Sequence, residues 1–342
     1  MKPNSEPLIT VILPVHNRGD QVLDAIRSVQ NQSFETWELV IIDDGSTDQT
    51  LHVIRQAAYH DQRITTLFHP HRMNLGPGAS RNLGIAAAHG DVIAFLDSDD
   101  VLEPDALGTF WQVLEGFPEV PVVYGRARIC GDRGDGTMIG AGLPGVPADL
   151  FPQLVRNNVI ATGSIAIRRK VLGPSPFPSE MPSAQDWACW LRLSADHPFV
   201  FIDRVLLTVR TCGAGITGRG IATVRARSRY TRNQVNFLRR CLRSVPVSRR
   251  DFVSDGLRWR SAECFLRAVF SGRHGRFGEA YHWLTTWLAV AKGPLLMAQS
   301  IGVAMKTLGR FRKGAEMPSF IRPFASEHGD HGQTTASTEV TQ

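Results

Sequence analysis

Four short apolar, β-branched runs in the first hundred residues leave this chain little choice of fold. LITVIL (8–13), WELVIID (37–43), ITTLF (64–68) and DVIAFLD (91–97) are bounded by turn residues, as parallel strands buried on both faces require. Between them, 21–32, 47–60 and 79–89 carry apolar residues at helical spacing, with Ser46 expected to cap the second helix. The pattern reads βαβαβαβ and predicts an open α/β sheet whose ligands sit beyond the carboxyl ends of the strands.

Past residue 104 the alternation loosens. A helix is expected over 104–116, strands over 122–130 and 161–168, a glycine-rich loop over 131–147, a helix over 186–197 and strands over 199–210. From 221 onward only helices are expected, over 221–243, 250–271, 276–291 and 295–309. The stretch FLRAVFSGRHGRFGEAYHWLTTWLAVAKGP is similar to one tetratricopeptide unit. The last residues are polar and read as disordered. The domain plan is therefore 1–218, with halves 7–105 and 106–218, then a basic helical region 219–322 and a tail 323–342.

The chain of 342 residues is 43% hydrophobic and 20% charged, which excludes a disordered, collagen-like or disulfide-scaffold protein. Its net charge of +6 conceals two opposite halves: residues 1–218 hold 17 basic and 24 acidic side chains, residues 219–342 hold 21 and 8. The acidic balance of the first part argues against nucleic acid, whose phosphates it would repel. The basic part suits an anionic membrane surface, although solvated helix faces would explain the same charges. Five separated cysteines without a C-x-x-C suggest neither zinc nor a disulfide framework. The eight-residue apolar run near the N-terminus is too short for a signal peptide, and Lys292, Gly293 and Pro294 interrupt the 283–305 stretch as a membrane span. The expected location is the cytoplasm, with peripheral association at the cytoplasmic face of the membrane.

Acidic clusters fall at the ends of expected strands. Asp97-Ser98-Asp99-Asp100 ends the fourth; on an extended segment residues two apart share a face, so Asp97 and Asp99 are candidates to present carboxylates to one Mn2+ or Mg2+. The plainer alternative is a cap for the following helix, which needs only one Asp. Asp43-Asp44-Gly45-Ser46 ends the second strand; a carboxylate there can accept the imide N–H of a uracil, and the same residues also make a good turn. Asn74 to Asn82 reads as a flexible loop whose amides and Arg81 meet a diphosphate. No G-x-G-x-x-G follows the first strand, which disfavours a dehydrogenase.

Together, ITVILPVHNRGDQVLDAIRSVQNQSFETWELVIIDDGSTDQT and NLGPGASRNLGIAAAHGDVIAFLDSDDVLEPD resemble the nucleotide-sugar domain of the family 2 inverting glycosyltransferases. The resemblance implies a GT-A-type doubly wound mixed sheet with a Rossmann-like nucleotide-binding half; the C-terminal all-α extension, read from its own helical pattern, lies outside it. It implies sugar transfer from a nucleoside diphosphate donor, usually uridine-linked, to a glycan or lipid-linked acceptor. By position, Pro14 lies in the loop contacting the base, Asp44 is the uracil partner with Asp43 beside it, and Arg81 is the diphosphate-side arginine. Asp97 and Asp99 match the D-x-D metal site, with Asp97 also on the donor. Asp186, in Ala184-Gln185-Asp186-Trp187, matches the catalytic base; a helix N-cap is its plainer reading. Gln185 stands where the family has Glu, His16 where it has Tyr, and 173–180 departs from the usual Gly-x-Phe-Asp-Glu. A metal-dependent nucleotidyltransferase and an inactive binding or scaffold protein are the competing readings.

Overall fold

The computed structural model describes residues 8–131, 136–181, 183–211, 224–245, 247–273, 283–284, 286–288, 290–291 and 294–312. A single mixed sheet runs through the first two-thirds in the order β3-β2-β1-β4-β9-β6-β10-β5. Its first four members, β1 (Ile9–Val15), β2 (Trp37–Asp43), β3 (Ile64–Phe68) and β4 (Val92–Phe95), are parallel and match the apolar runs. Neighbouring side chains on them enter two different cores. Ile9, Val11, Leu13, Leu39 and Ile41 pack on one face, while Ile12, Val40, Ile42, Ile93 and Phe95 pack on the other. Burial on both faces is why these runs show no polar alternation.

Helices α1 (Val22–Gln30), α2 (Thr50–His60) and α4 (Ala106–Gly116) cover the first face, and α3 (Gly76–Ala87) the second. Helix α3 begins three residues before the expected 79, so the segment expected as a flexible loop is largely its first turn. Pro77 stands there without needing an N–H, and Gly76 enters at φ 85°. Ser46 is not the cap of α2: its hydroxyl accepts Asn17 N–H at 3.1 Å, and Asp48 Oδ1 takes the N–H of Thr50 at 2.9 Å.

Beyond β4 the sheet turns mixed. Strand β9 (Ile165–Arg168) runs antiparallel to both β4 and β6 (Val122–Gly131), and β10 (Phe199–Thr211) lies parallel to β6. The two-residue strands β5 (Val101–Leu102), β7 (Met138–Ile139) and β8 (Pro147–Ala148) were not expected. The segment 131–147, expected as loop throughout, contributes two of them in its described part, against β6 and β10; residues 132–135 lie outside the described residues. Helix α5 (Phe151–Arg156), also unexpected, is a six-residue turn too short to show a period. Helix α6 (Gln185–Asp196) buries Trp187 and Trp190 completely.

The C-terminal helices α7 (Val224–Ser244), α8 (Val247–Arg273) and α9 (Pro294–Arg312) follow, and the described residues of 283–291 are helical. Residues 274–282, the middle of the tetratricopeptide-like stretch, and 313–342, which include the tail expected to be disordered, lie outside the described residues. These helices share the second core: Val235, Phe237, Leu238, Val253 and Leu257 join Trp187, Phe151 and Leu154 in one cluster. The Phe237 ring meets Trp187 edge-on at 5.7 Å. Gly256 of α8 lies so close to α5 that a Cβ there would stand 2.1 Å from Val155 Cγ1.

Several described arginines of 219–260 have protein partners. Arg249 pairs with Asp149, Arg240 with Glu180 and Arg260 with Glu263, and Arg239 donates to the Val290 carbonyl.

Candidate active site

All the acidic clusters gather at the carboxyl edge of β1, β2 and β4. Strand β4 ends at Phe95, and Asp97 to Asp100 form a turn closed by Asp100 N–H on the Asp97 carbonyl at 3.0 Å. The extended geometry expected for this segment is therefore replaced by a turn. It nevertheless keeps the carboxylates in each other's field: burial, then the charge of Asp97, raises the Asp99 carboxyl above its ordinary range, with Arg18 opposing. Asp100 is pushed up further by burial and by both neighbours. None of these residues caps α4, whose N-terminal neighbour is Asp105.

Among the described residues no cluster of three or more His, Cys, Asp or Glu side chains forms a cation cage. Asp97 and Asp99, held together against their own repulsion and 34% and 26% exposed, fit a hard cation that draws its other ligands from substrate phosphate and water.

Arg81 reaches this turn from α3. Only 5% of its side chain is exposed, and one guanidinium nitrogen donates to Asp97 Oδ1 at 2.6 Å. Its Cζ stands 5.5 Å from the centre of the Phe177 ring, and its Nε has no hydrogen-bond partner among the described residues. Asn82, one residue on, fixes the Phe177 backbone from both sides, donating to its carbonyl at 2.7 Å and accepting its N–H at 3.0 Å.

Asp186 completes the group. It is not the N-cap of α6: Ala184 holds that place at φ 62°, and Asp186 lies in the first turn. Its Oδ2 accepts from Asn158 Nδ2 at 3.1 Å and from Thr162 Oγ1 at 3.4 Å. Burial lifts its carboxyl above the ordinary range; Arg81 pulls it down and Asp97 pushes it up, so all three share one field. Gln185 turns away, donating to the Met181 carbonyl at 2.7 Å.

The other acidic pair sits at the β2 end. Asp44, 4% exposed, accepts the N–H groups of Leu75 at 2.7 Å and Gly76 at 2.9 Å. It thereby supplies from a distant strand the acceptor that α3 lacks locally. Asp43 is fully buried, paired with Arg72 at 2.9 Å and accepting Ser46 N–H at 3.2 Å. Gly45 between Asp44 and Ser46 has φ 73°, and a Cβ there would lie 2.7 Å from the Arg72 carbonyl, so glycine is required.

Pro14, expected in a loop, lies inside β1 opposite Ile42. Its missing N–H is tolerated there because β4 has already ended level with Ile12. His16 ties the next loop to the site: its Nδ1 donates to the Asp44 carbonyl at 2.9 Å.

Among the described residues four non-glycine residues hold positive φ: Asn17, His71, Arg72 and Ala184. They flank the Asp44, Asp43 and Asp186 positions. Such conformations cost about 1–3 kcal/mol each and collect where geometry is set for function. Sequence reasoning missed Arg18, Asn82, Asn158 and Thr162, because contacts of side chains far apart in the chain leave no local period or motif.

An open sheet with carboxylates and an arginine at its strand ends, and a further half-buried carboxylate on α6, suits a nucleotide-dependent group transferase. The chain belongs to glycosyltransferase family 2. The family model described as "Glycosyl transferase family 2" matches residues 10–173. A putative teichuronic acid biosynthesis glycosyltransferase of Bacillus subtilis, TuaG, is 31% identical over 190 residues, covering 56% of this chain and 73% of that protein. The chain spans about a third of the length of the uncharacterized glycosyltransferase of Rickettsia conorii that it matches at 32% identity over 60% of its own length. The fold is shared with S. aureus TarS in complex with UDP (TM-score 0.56, 19% identity, covering 91% of this chain and 93% of that one). It is also shared with the mannosyltransferase PcManGT of Pyrobaculum calidifontis in complex with GDP-Man and Mn2+ (TM-score 0.55, 16% identity, 95% and 88% covered).

Proposed function

We propose that the protein transfers a sugar, with inversion, from a nucleoside diphosphate donor, uridine-linked as the first choice, to a hydroxyl of a glycan or lipid-linked acceptor of envelope polysaccharide synthesis. The observation that carries this reading is that Asp186 lies in the electrostatic field of the Arg81–Asp97 pair, which sets a half-buried proton acceptor near charges suited to a leaving diphosphate. The attacking hydroxyl oxygen bonds to the anomeric carbon as its proton passes to the Asp186 carboxylate. The bond from that carbon to the diphosphate breaks, and its electron pair leaves on the phosphate oxygen. One displacement inverts the centre, and no covalent enzyme intermediate is needed.

A carboxylate lifted toward neutrality by burial is a better base than an exposed one, and Asn158 and Thr162 fix where it points. Arg81 steadies the leaving group. A bound Mn2+ or Mg2+ on Asp97 and Asp99 supplies Lewis-acid charge to the diphosphate. Asp44 and Asp43, at the end of β2, are assigned to the base, with Pro14 beneath them in β1. The fold relatives bound to UDP and to GDP-Man with Mn2+ support a nucleotide donor and a divalent ion.

The test is release of nucleoside diphosphate from a panel of UDP-, GDP- and dTDP-sugars with Mn2+, with Mg2+ and with excess chelator. Release from one donor class that ceases in chelator supports the reading; no release from any donor, or full release in chelator, defeats it.

The same reading places the protein at the cytoplasmic face of the membrane through its basic helices. No helix among the described residues is long and apolar enough to cross a membrane. Leu284, Leu288, Ile301 and Met305 nevertheless stand exposed on the C-terminal helices, in the part of the chain that holds 21 basic side chains against 8 acidic. Co-sedimentation with phosphatidylglycerol vesicles that weakens with salt is expected; equal binding by Leu288→Glu/Met305→Glu and the parent would remove these residues from the contact.

A further inference from the structure

Between the loop before α6 and the outer face of α7 lies a cleft of about 410 Å3, lined by Glu180, Met181, Asn233, Asn236, Arg239 and Arg240. Its volume falls in the range of small-molecule sites, about 300–1,000 Å3. Asn233, Asn236 and Arg240 follow one another at i, i+3 and i+7, so one helix face presents two amides and a guanidinium. The residues between them, Gln234, Val235, Phe237 and Leu238, are buried and hold that face in place.

The cleft is fastened to the catalytic loop. Asn233 Nδ2 donates to Ser183 Oγ at 3.3 Å, and Gln185 Nε2 donates to the carbonyl of Met181, the apolar member of the lining, at 2.7 Å. Asp186 is the next residue. Arg240 faces the one carboxylate of the lining, Glu180, while Arg239 donates to the Val290 carbonyl. The Arg240 to Glu180 contact is 3.5 Å long, with the two side chains 57% and 60% exposed. An exposed pair of this kind contributes about 0–1 kcal/mol, whereas a carboxylate or phosphate gripped by two guanidinium N–H groups is held more firmly.

We propose that this cleft is an acceptor subsite that takes an anionic unit of the acceptor, a uronic acid or a phosphodiester-linked residue, beyond the hydroxyl that reacts at Asp186. Arg240 grips the anionic group, displacing Glu180, and the amides of Asn233 and Asn236 meet sugar hydroxyls. The inference rests on the transferase reading and on Asp186 as its base.

The test uses the full chain with saturating UDP and Mn2+, so that the donor side is filled, and measures binding of three probes by saturation-transfer NMR. These are tetragalacturonate, a glycerol phosphate tetramer and neutral maltotetraose. One charged probe is expected to bind at least tenfold more tightly than maltotetraose. Arg240→Gln should lose at least fivefold of that preference, while Arg240→Lys, which keeps the charge, retains part of it. Preference for tetragalacturonate identifies a uronic acid, and preference for the glycerol phosphate tetramer a phosphodiester. Equal binding of charged and neutral probes, or a preference that survives Arg240→Gln, overturns the subsite. Nucleoside diphosphate release by the parent protein alone does not depend on this cleft, so its absence would count against the transferase reading separately.

Discussion

The parallel half of the sheet, β3-β2-β1-β4, and the remainder of the chain solve the same burial problem differently. In the first, the strands are sandwiched, and the residues that close each strand end form the site edge: Asp43 with Asp44 at the end of β2, and the Asp97–Asp100 turn after β4. In the second, residues far apart assemble around Asp186: Asn158 and Thr162 before β9, and Arg81 from α3. The C-terminal helices complete the core beneath it, with Phe237 against Trp187. The edge assigned to the donor is thus built from local geometry and the region assigned to the acceptor from long-range packing. Changes to the two should fail in different ways.

Apart from Asp186 itself, the largest effect is expected on the side assigned to the donor. Asp99→Ala removes one of two carboxylates assigned to the cation, and turnover and metal-dependent nucleotide binding should fall together, by two orders of magnitude or about 3 kcal/mol. Calorimetry of UDP with Mn2+ checks it. Undiminished binding would separate Asp99 from the cation. Because burial and Asp97 hold the Asp99 carboxyl high, the substitution should leave folding intact or improve it above that raised pKa, where the folded protein otherwise carries an unfavourable buried charge.

A smaller effect, on the other region, follows from Gly256→Ala. The added Cβ would crowd Val155. Overpacking costs about 1–3 kcal/mol, offset by about 1 kcal/mol of helix propensity, so urea unfolding should show a net loss of up to about 2 kcal/mol. A gain of stability would mean that α8 rides loosely on α5 and that the two regions are less coupled than described.

The smallest effect concerns pH. Asn158 donates to the Asp186 carboxylate and so favours its ionised form. Asn158→Ala should raise the Asp186 pKa further and move the acidic limb of the turnover profile to higher pH, by about one unit or less. A shift to lower pH would contradict the assignment.

These differences also mark how far the sequence could be read. Strands β1 to β4 were legible because burial on both faces leaves unbroken apolar runs. The helices α7, α8 and α9 were legible from their period, with ends displaced by a few residues. Strands β5, β7 and β8 were not, because two residues paired at a sheet margin carry no period of their own. Candidate site residues could be picked out as types and positions, but not their partners. That Asp44 caps α3, that Pro14 lies in β1, and that Arg81 is spent on Asp97 are facts of tertiary contact. Asp186 illustrates the limit. Its local sequence suits a helix cap as well as a base; in the structure Ala184 takes the cap position, and Asn158 and Thr162 hold the Asp186 carboxylate.

Asp186→Asn, with turnover and calorimetry measured on the same sample, therefore tests the account most directly. The substitution keeps size and removes the proton acceptor, so turnover should drop by about a hundredfold to ten-thousandfold. Affinity for UDP with Mn2+ should change by less than about threefold, an amount below 1 kcal/mol. Turnover within a few-fold of the parent would show that the base lies elsewhere. Joint loss of turnover, nucleotide binding and folding would show that Asp186 is structural, and that the donor and acceptor sides are not separable as argued.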